Sequence, residues 1–154
     1  MQSRQHFNEE PGVDGELSVT FDLIGGAVQA RGTGIWSPPQ VKGYFEDWRH
    51  VVKAVHANGL AVSAFVDMGE GLAQSDEVAG IIATMTRNIY RPGDAVAMLV
   101  SNSLAKNQMR RTLDARYHEY FISRSAAQTW LKGRAVRGPA APPAVPTARF
   151  GRGL

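Results

Sequence analysis

LAVSAFVDMGEGLAQSDEV, residues 60–78, decides how the rest of the chain is read. It opens on an apolar run, residues 60–66, too short for a typical helix and rich in β-branched and aromatic side chains, the pattern of a buried strand. Asp67 ends the run, and a glycine-spaced loop is expected over residues 68–74. Ser75 then stands at a helix N-cap position, with Asp76 and Glu77 in the first turn. Free N–H groups and the positive end of the helix dipole favour a hydroxyl and negative charge there. A buried strand that leads through a loop into a capped helix is where α/β proteins place functional sites, beyond the carboxyl end of the strand.

Upstream, residues 16–23 alternate: Leu17, Val19, Phe21 and Leu23 point one way, while Glu16, Ser18, Thr20 and Asp22 point the other. That is a half-buried strand. Gly25-Gly26 suits a tight hairpin turn, and residues 27–33 form the returning strand. Ser37-Pro38 starts a helix with proline at its first position. Val41, Tyr44, Phe45, Trp48, Val51, Val52 and Val55 recur at helical spacing on one face, and Asn58-Gly59 stops it.

Downstream, the Ser75 helix presents Val78, Ile81, Ile82, Met85 and Ile89 until Arg91-Pro92-Gly93-Asp94 breaks it. AVAMLV, residues 95–100, is a second fully apolar strand. Residues 101–103 cap a third helix, with Leu104, Met109, Leu113 and Tyr117 near one side. A short strand is expected around Tyr120-Phe121-Ile122. A last helix, residues 124–131, starts from Ser123 and buries Ala127, Trp130 and Leu131. The order β-β-α-β-α-β-α-β-α predicts an α/β fold: a mixed β-sheet of about five strands with four helices packed on it.

Three regions follow. Residues 1–15 are polar and read as a flexible N-terminus without the apolar core of a secretory signal. Residues 16–132 form one domain, large enough for a core at 44% hydrophobic composition. From Gly133 the composition turns to Gly, Pro, Ala and Arg, and residues 133–154 read as a disordered basic tail that adds little to stability. The tail explains the net charge of +3. Five of the 17 basic residues lie at this end of the chain, Lys132 just before the tail and Arg134, Arg137, Arg149 and Arg152 within it, which leaves 12 against 14 acidic residues in the rest. No apolar run approaches the roughly 20 residues of a transmembrane segment. The absence of cysteine excludes disulfides and thiol catalysis and fits a cytoplasmic protein.

The stretches GTGIWSPPQV, YFEDWRHVVKAV, VSAFVDM, YRPGDAVAMLVSNSLAKNQMRR and HEYFISRSAAQTWL, within residues 32–133, resemble the STAS domain. The closer likeness is to its SpoIIAA-like branch, sometimes grouped with the SEC14 lipid-binding type. The resemblance implies a STAS-like topology and a non-enzymatic, regulatory role through protein–protein interaction, as in the bacterial anti-sigma factor antagonists. The SEC14 side of it implies the alternative, binding of a small apolar or lipid-like ligand. In the antagonists a serine that starts the helix after the central strand is phosphorylated by a partner kinase. Ser75 falls at that place, within Gln74-Ser75-Asp76 where the family has Asp-Ser-Ser-Gly.

The residues themselves leave alternatives open. Ser75 is a helix cap or a phosphoacceptor, and Asp76 and Glu77 beside it would oppose a phosphate. Asp67 and Glu70 are a carboxylate pair for acid–base chemistry, or Asp67 simply accepts backbone N–H groups. Together with Asp76 these are the candidate partner-binding residues. Lys106, Arg110 and Arg111, with Arg87 and Arg91 near, form a candidate anion-binding patch or a solvated basic face. His50, His56 and His118 have no ligand spacing, and no Ser/His/Asp arrangement, phosphate loop or nucleic-acid-binding signature is present. No metal or cofactor is expected.

Overall fold

A computed structural model of the chain describes residues 2–5, 15–22 and 27–137. Strands β1 (Gln2–Gln5), β2 (Glu16–Asp22) and β3 (Ala27–Gly34) precede helix α1 (Pro38–Ala57). Then follow β4 (Ser63–Gly71), α2 (Asp76–Met85), β5 (Ala95–Val100), α3 (Ser103–Thr112), β6 (His118–Phe121) and α4 (Arg124–Arg137). All six strands lie in one sheet in their order along the chain. β1, β2 and β3 pair antiparallel, and β3 to β6 pair parallel. The α/β class, the mixed sheet and the four helices agree with the sequence pattern. The additional strand is β1, whose polar QSRQ carries no alternation to announce it and which is held by pairing with residues 17–20. The Gly25-Gly26 turn and residues 138–154 lie outside the described residues.

Three successive right-handed crossovers in one direction put α1, α2 and α3 on the same face of the sheet. That face reads across the register as Val19, Ala30, Val66, Met98 and Tyr120, one residue per strand. The buried stripe of α1 (Val41, Tyr44, Trp48, Val51, Val52, Val55) packs onto it. Among the described residues the opposite face is covered by α4 alone, where Ala127 meets Phe65 and Ala97, with Phe121, Trp130 and Leu131 around them. β4 and β5 are therefore apolar on both sides, as their continuous runs predict, and β2 and β3 on one side only.

Several element ends differ from the sequence reading, each for a local reason. β4 does not stop at Asp67. It runs on to Gly71, because Glu70 and Gly71 pair with Thr33 and Gly34, so only residues 72–75 form the loop expected over 68–74. α2 ends at Met85, where the Thr86 hydroxyl donates back to the Ile82 carbonyl (2.8 Å) and Asn88 takes a left-handed φ of 63°. Ile89 packs on the core from beyond the helix. α3 stops at Thr112, since Leu113 is extended, and Tyr117 falls outside it. Leu104, read on one side of α3 with Met109, is exposed, and so is Ile122, which falls just beyond the end of β6. α4 does not stop at Leu131 but passes through Gly133 to Arg137.

The ends of α1 are set by polar side chains. Ser37 and Gln40 form a reciprocal capping box, and Gln40, fully buried, also donates to the Gly15 carbonyl (2.6 Å). Beyond the C-terminus, Gly59 takes a φ of +75° that a side chain would strain. His56, in the last turn, reaches the Asp94 carboxylate (2.8 Å). Asp94 is 1% exposed and accepts the backbone N–H groups of Val62 and Arg91, both at 2.8 Å. One buried carboxylate thus ties the end of α1, the approach to β4 and the turn before β5. Asp94→Ala is expected to destabilise the domain by about 3 kcal/mol, because it orphans the buried Val62 N–H, the part-buried Arg91 N–H and one imidazole. Asp94→Asn, which keeps an acceptor for Val62, is expected to lose less, as read from urea midpoints.

Candidate functional site

The carboxyl ends of β3, β4 and β5 meet at one edge of the sheet, and a single glutamine joins them. Gln74 is buried, and its amide donates to the carbonyls of Gly34 (2.9 Å) and Leu72 (2.7 Å) and accepts the Trp36 N–H (2.8 Å). Its backbone pairs with the side chain of Gln108 on α3, N–H to Oε1 at 2.7 Å and carbonyl from Nε2 at 2.8 Å. Ser75 caps α2 by accepting the Val78 N–H (3.1 Å) and is itself exposed, with Asp76 and Glu77 exposed in the first turn.

Behind Gln74 lies a largely apolar cleft of about 70 Å³, floored by the sheet and walled by α1, α2 and α3. It runs from Val96 and His118 at one end to Met68, Leu72 and Trp36 at the other. Gly32 belongs to this floor's packing: a Cβ there would meet the Met68 sulfur at 2.7 Å and the Trp36 ring at 2.8 Å. The weak wall is the pair α2 and α3. Each has ten residues and one fully buried side chain, Val78 and Ala105, while Ile82, Met109 and Leu113 line the cleft half-buried. A void of this size forfeits on the order of 2 kcal/mol of packing in a closed core.

The polar groups in the wall are neutral. Trp48 Nε1 donates to the Tyr90 hydroxyl (2.8 Å), and burial pushes the Tyr44 and Tyr90 hydroxyls well above their usual range. His118 Nδ1 donates to the Asp114 carbonyl (2.8 Å), since a carbonyl can only accept. Burial pushes the His118 imidazole below its ordinary value, against the bond to that carbonyl and the Asp114 charge. The turn that places Asp114 is held by Arg116, whose side chain and N–H keep the Asp114 carboxyl below the usual carboxylate range.

Asp67 and Glu70 lie on the other face. A β-bulge sets Met68 and Gly69 against the single residue Gly32, which returns Glu70 to the side of Asp67. Asp67 accepts the Gly69 N–H (3.0 Å) and binds Arg124 of α4 (2.8 Å), and Arg31 lies between the carboxylates, 4.0 Å from Asp67 and 3.4 Å from Glu70. The pair is thus partnered by arginines on the α4 side, whereas Ser75 begins a helix on the opposite side. The structure does not bring Ser75 to the two carboxylates. On α3, Lys106 and Arg110 are one turn apart. The Arg110 guanidinium lies over the Tyr120 ring (5.0 Å), whose hydroxyl is pushed up to about 12 chiefly by burial. No group of side chains able to hold a metal occurs among the described residues.

Sequence reasoning missed Gln74, Gln108 and His118. Gln74 had one signal, a long amide just before an N-cap serine. His118 had another, since alternation places it two residues before Tyr120 on the inner face. Nothing matches the chain in comparisons with protein-family models or with curated proteins.

Unfolded, the His118 ring takes up a proton near pH 6.5; folded, it does so only at lower pH. The unfolded chain therefore binds more protons in that window, and stability, complete above about pH 6.5, is lost as pH falls through it. Denaturation midpoints at about pH 7.5 and 5.5 should differ less for His118→Phe than for the wild type, the other histidines being common to both.

Proposed function

We propose that this chain is a STAS-like domain of the SpoIIAA-like branch that acts by binding a protein partner and not by catalysis, as a regulatory module in a bacterial cytoplasm. The resemblance within residues 32–133 and the order of elements support the family. One observation carries the mode of action. The four exposed large hydrophobic side chains among the described residues are Ile35, Leu72, Leu104 and Ile122, at 37%, 43%, 72% and 85% exposure. Ile35, Leu72 and Ile122 each follow directly on the end of a parallel strand, and Leu104 sits in the first turn of the helix after β5. All four lie at the carboxyl end of the parallel strands, the end that also carries Glu70, Ser75 and Asp76. Scattered exposed apolar residues are ordinary; a row of them on one edge marks an interaction surface. A phosphate on Ser75 would sit at the free N–H groups of α2 and change the charge of this same edge.

The double variant Leu72→Ser, Leu104→Ser is expected to recover the partner from bacterial lysate about fivefold less well than the wild type, the effect of losing apolar anchors at an interface. Its thermal midpoint should remain close to that of the wild type, since both side chains are largely exposed. Recovery equal to that of the wild type, also with Asp67, Glu70 and Ser75 changed, would remove this edge from the reading.

A second reading is supported by the cleft: the domain holds a small apolar or lipid-like ligand between α2 and α3. Its walls are apolar, and the two helices that cover it are lightly seated. Native mass spectrometry of protein taken from cells is expected to show a bound mass. A bare chain under conditions that retain apolar ligands would speak against it.

A further inference from the structure

We infer that the cleft receives an apolar molecule bearing a hydroxyl, an alcohol or a phenol, whose O–H donates to Nε2 of His118; this rests on the ligand-binding reading above. The cleft is lined by no Asp, Glu, Lys or Arg. A charged head group would find no counter-charge in its walls, so the buried part of a ligand is neutral. Among neutral molecules, the wall discriminates by hydrogen bonding. Most of its donors are committed inside the protein: the indole N–H of Trp36 to the Thr33 carbonyl, that of Trp48 to Tyr90, the Gln74 amide to Gly34 and Leu72, and the Thr86 and Thr112 hydroxyls to the carbonyls of Ile82 and Gln108.

His118 stands apart. It is 6% exposed, and its Nδ1 proton is spent on the Asp114 carbonyl, so in the neutral ring Nε2 carries a lone pair. No hydrogen bond from a described residue reaches that lone pair. Nε2 is nevertheless not sealed off: among the described residues the one fully buried side-chain nitrogen or oxygen without a partner is Nε of Arg134. His118 lines the cleft. A buried acceptor facing an apolar space strongly prefers a ligand that can donate over an isostere that cannot. The cleft runs from the Val96 row to the Met68 row, four residues along the strands, about 13 Å. An apolar chain entering head-first would place its hydroxyl at His118 and its tail under Leu72.

The test compares two isomers of the same size, 1-pentanol, which donates a hydrogen bond, and butyl methyl ether, which only accepts. Both are titrated into the full chain labelled with nitrogen-15, following the indole signals of the three tryptophans and the imidazole nitrogens. The expected result is that the alcohol shifts the Trp36 and Trp48 signals and the His118 Nε2 resonance, leaves Trp130 on the opposite face unmoved, and binds about fivefold more tightly than the ether. In His118→Phe the two isomers should bind alike. If both bind equally to the wild type and Nε2 does not move, recognition by His118 is overturned while the apolar-ligand reading stands. If neither moves Trp36 or Trp48, that reading fails and this inference with it. The comparison of isomers on the wild type decides the matter even if the variant does not fold.

Discussion

The Asp94 carboxylate ties together three parts of the chain at the amino end of the parallel strands. The parallel sheet demands that each helix return the chain to the amino end of the next strand, and at that end backbone groups emerge from regular structure without partners. Asp94 answers for two of them, the Val62 and Arg91 N–H groups, and takes the last-turn imidazole of α1 as well. The long helix, the entry to β4 and the start of β5 are thereby set to one height along the strands. At the other end of the sheet Gln74 plays the matching part, because a neutral amide can both donate to Gly34 and Leu72 and accept from Trp36. A buried carboxylate at one end and a buried amide at the other thus satisfy backbone groups at both ends of the apolar face between them.

The cleft follows from unequal lengths. α1 has 20 residues and spans the sheet, while α2 and α3 have ten each. A ten-residue helix is about 15 Å long and offers two apolar positions or so per face to a strand pair. α1 fills its share of the sheet with Tyr44, Trp48 and valines. The two short helices lean on each other through half-buried Ile82, Met109 and Leu113, and the floor beneath them stays incompletely filled. The same geometry places His118 at the far end of that floor.

Much of the fold was legible because the relevant signals are local. The two continuous apolar runs, the alternation of residues 16–22, the seven-residue stripe of α1 and the N-caps Ser37, Ser75 and Asn102 each report on a few neighbouring residues; all are found in place except the start of the first run, which becomes strand at Ser63 and not at Leu60. What the sequence concealed depends on pairing across distance. β1 is a strand only because β2 offers it an edge, and Met68 to Gly71 are extended only because β3 and β5 flank them. The candidate site divides in the same way. The caps were readable, and so was the Asp67 bond to a nearby N–H. The bulge that turns Glu70 to the side of Asp67, the arginines that meet them from residues 31 and 124, and the tautomer of His118 are properties of packed neighbours.

The strand order carries a consequence for how the molecule is made. Because the six strands lie side by side in the order of synthesis, every strand after the first finds its partner already present. A chain leaving the ribosome amino end first can extend the sheet one crossover at a time, without holding an unpaired inner edge open for a segment still to come. Each pairing closes a loop of a single crossover, so the entropic cost of assembly stays modest at every step. α4 is the exception. It closes back over β4, β5 and β6 together, and until it has been synthesised Phe65, Ala97 and Phe121 face water. The unfinished protein is therefore most exposed to misassociation at its last stage, on the face opposite the cleft.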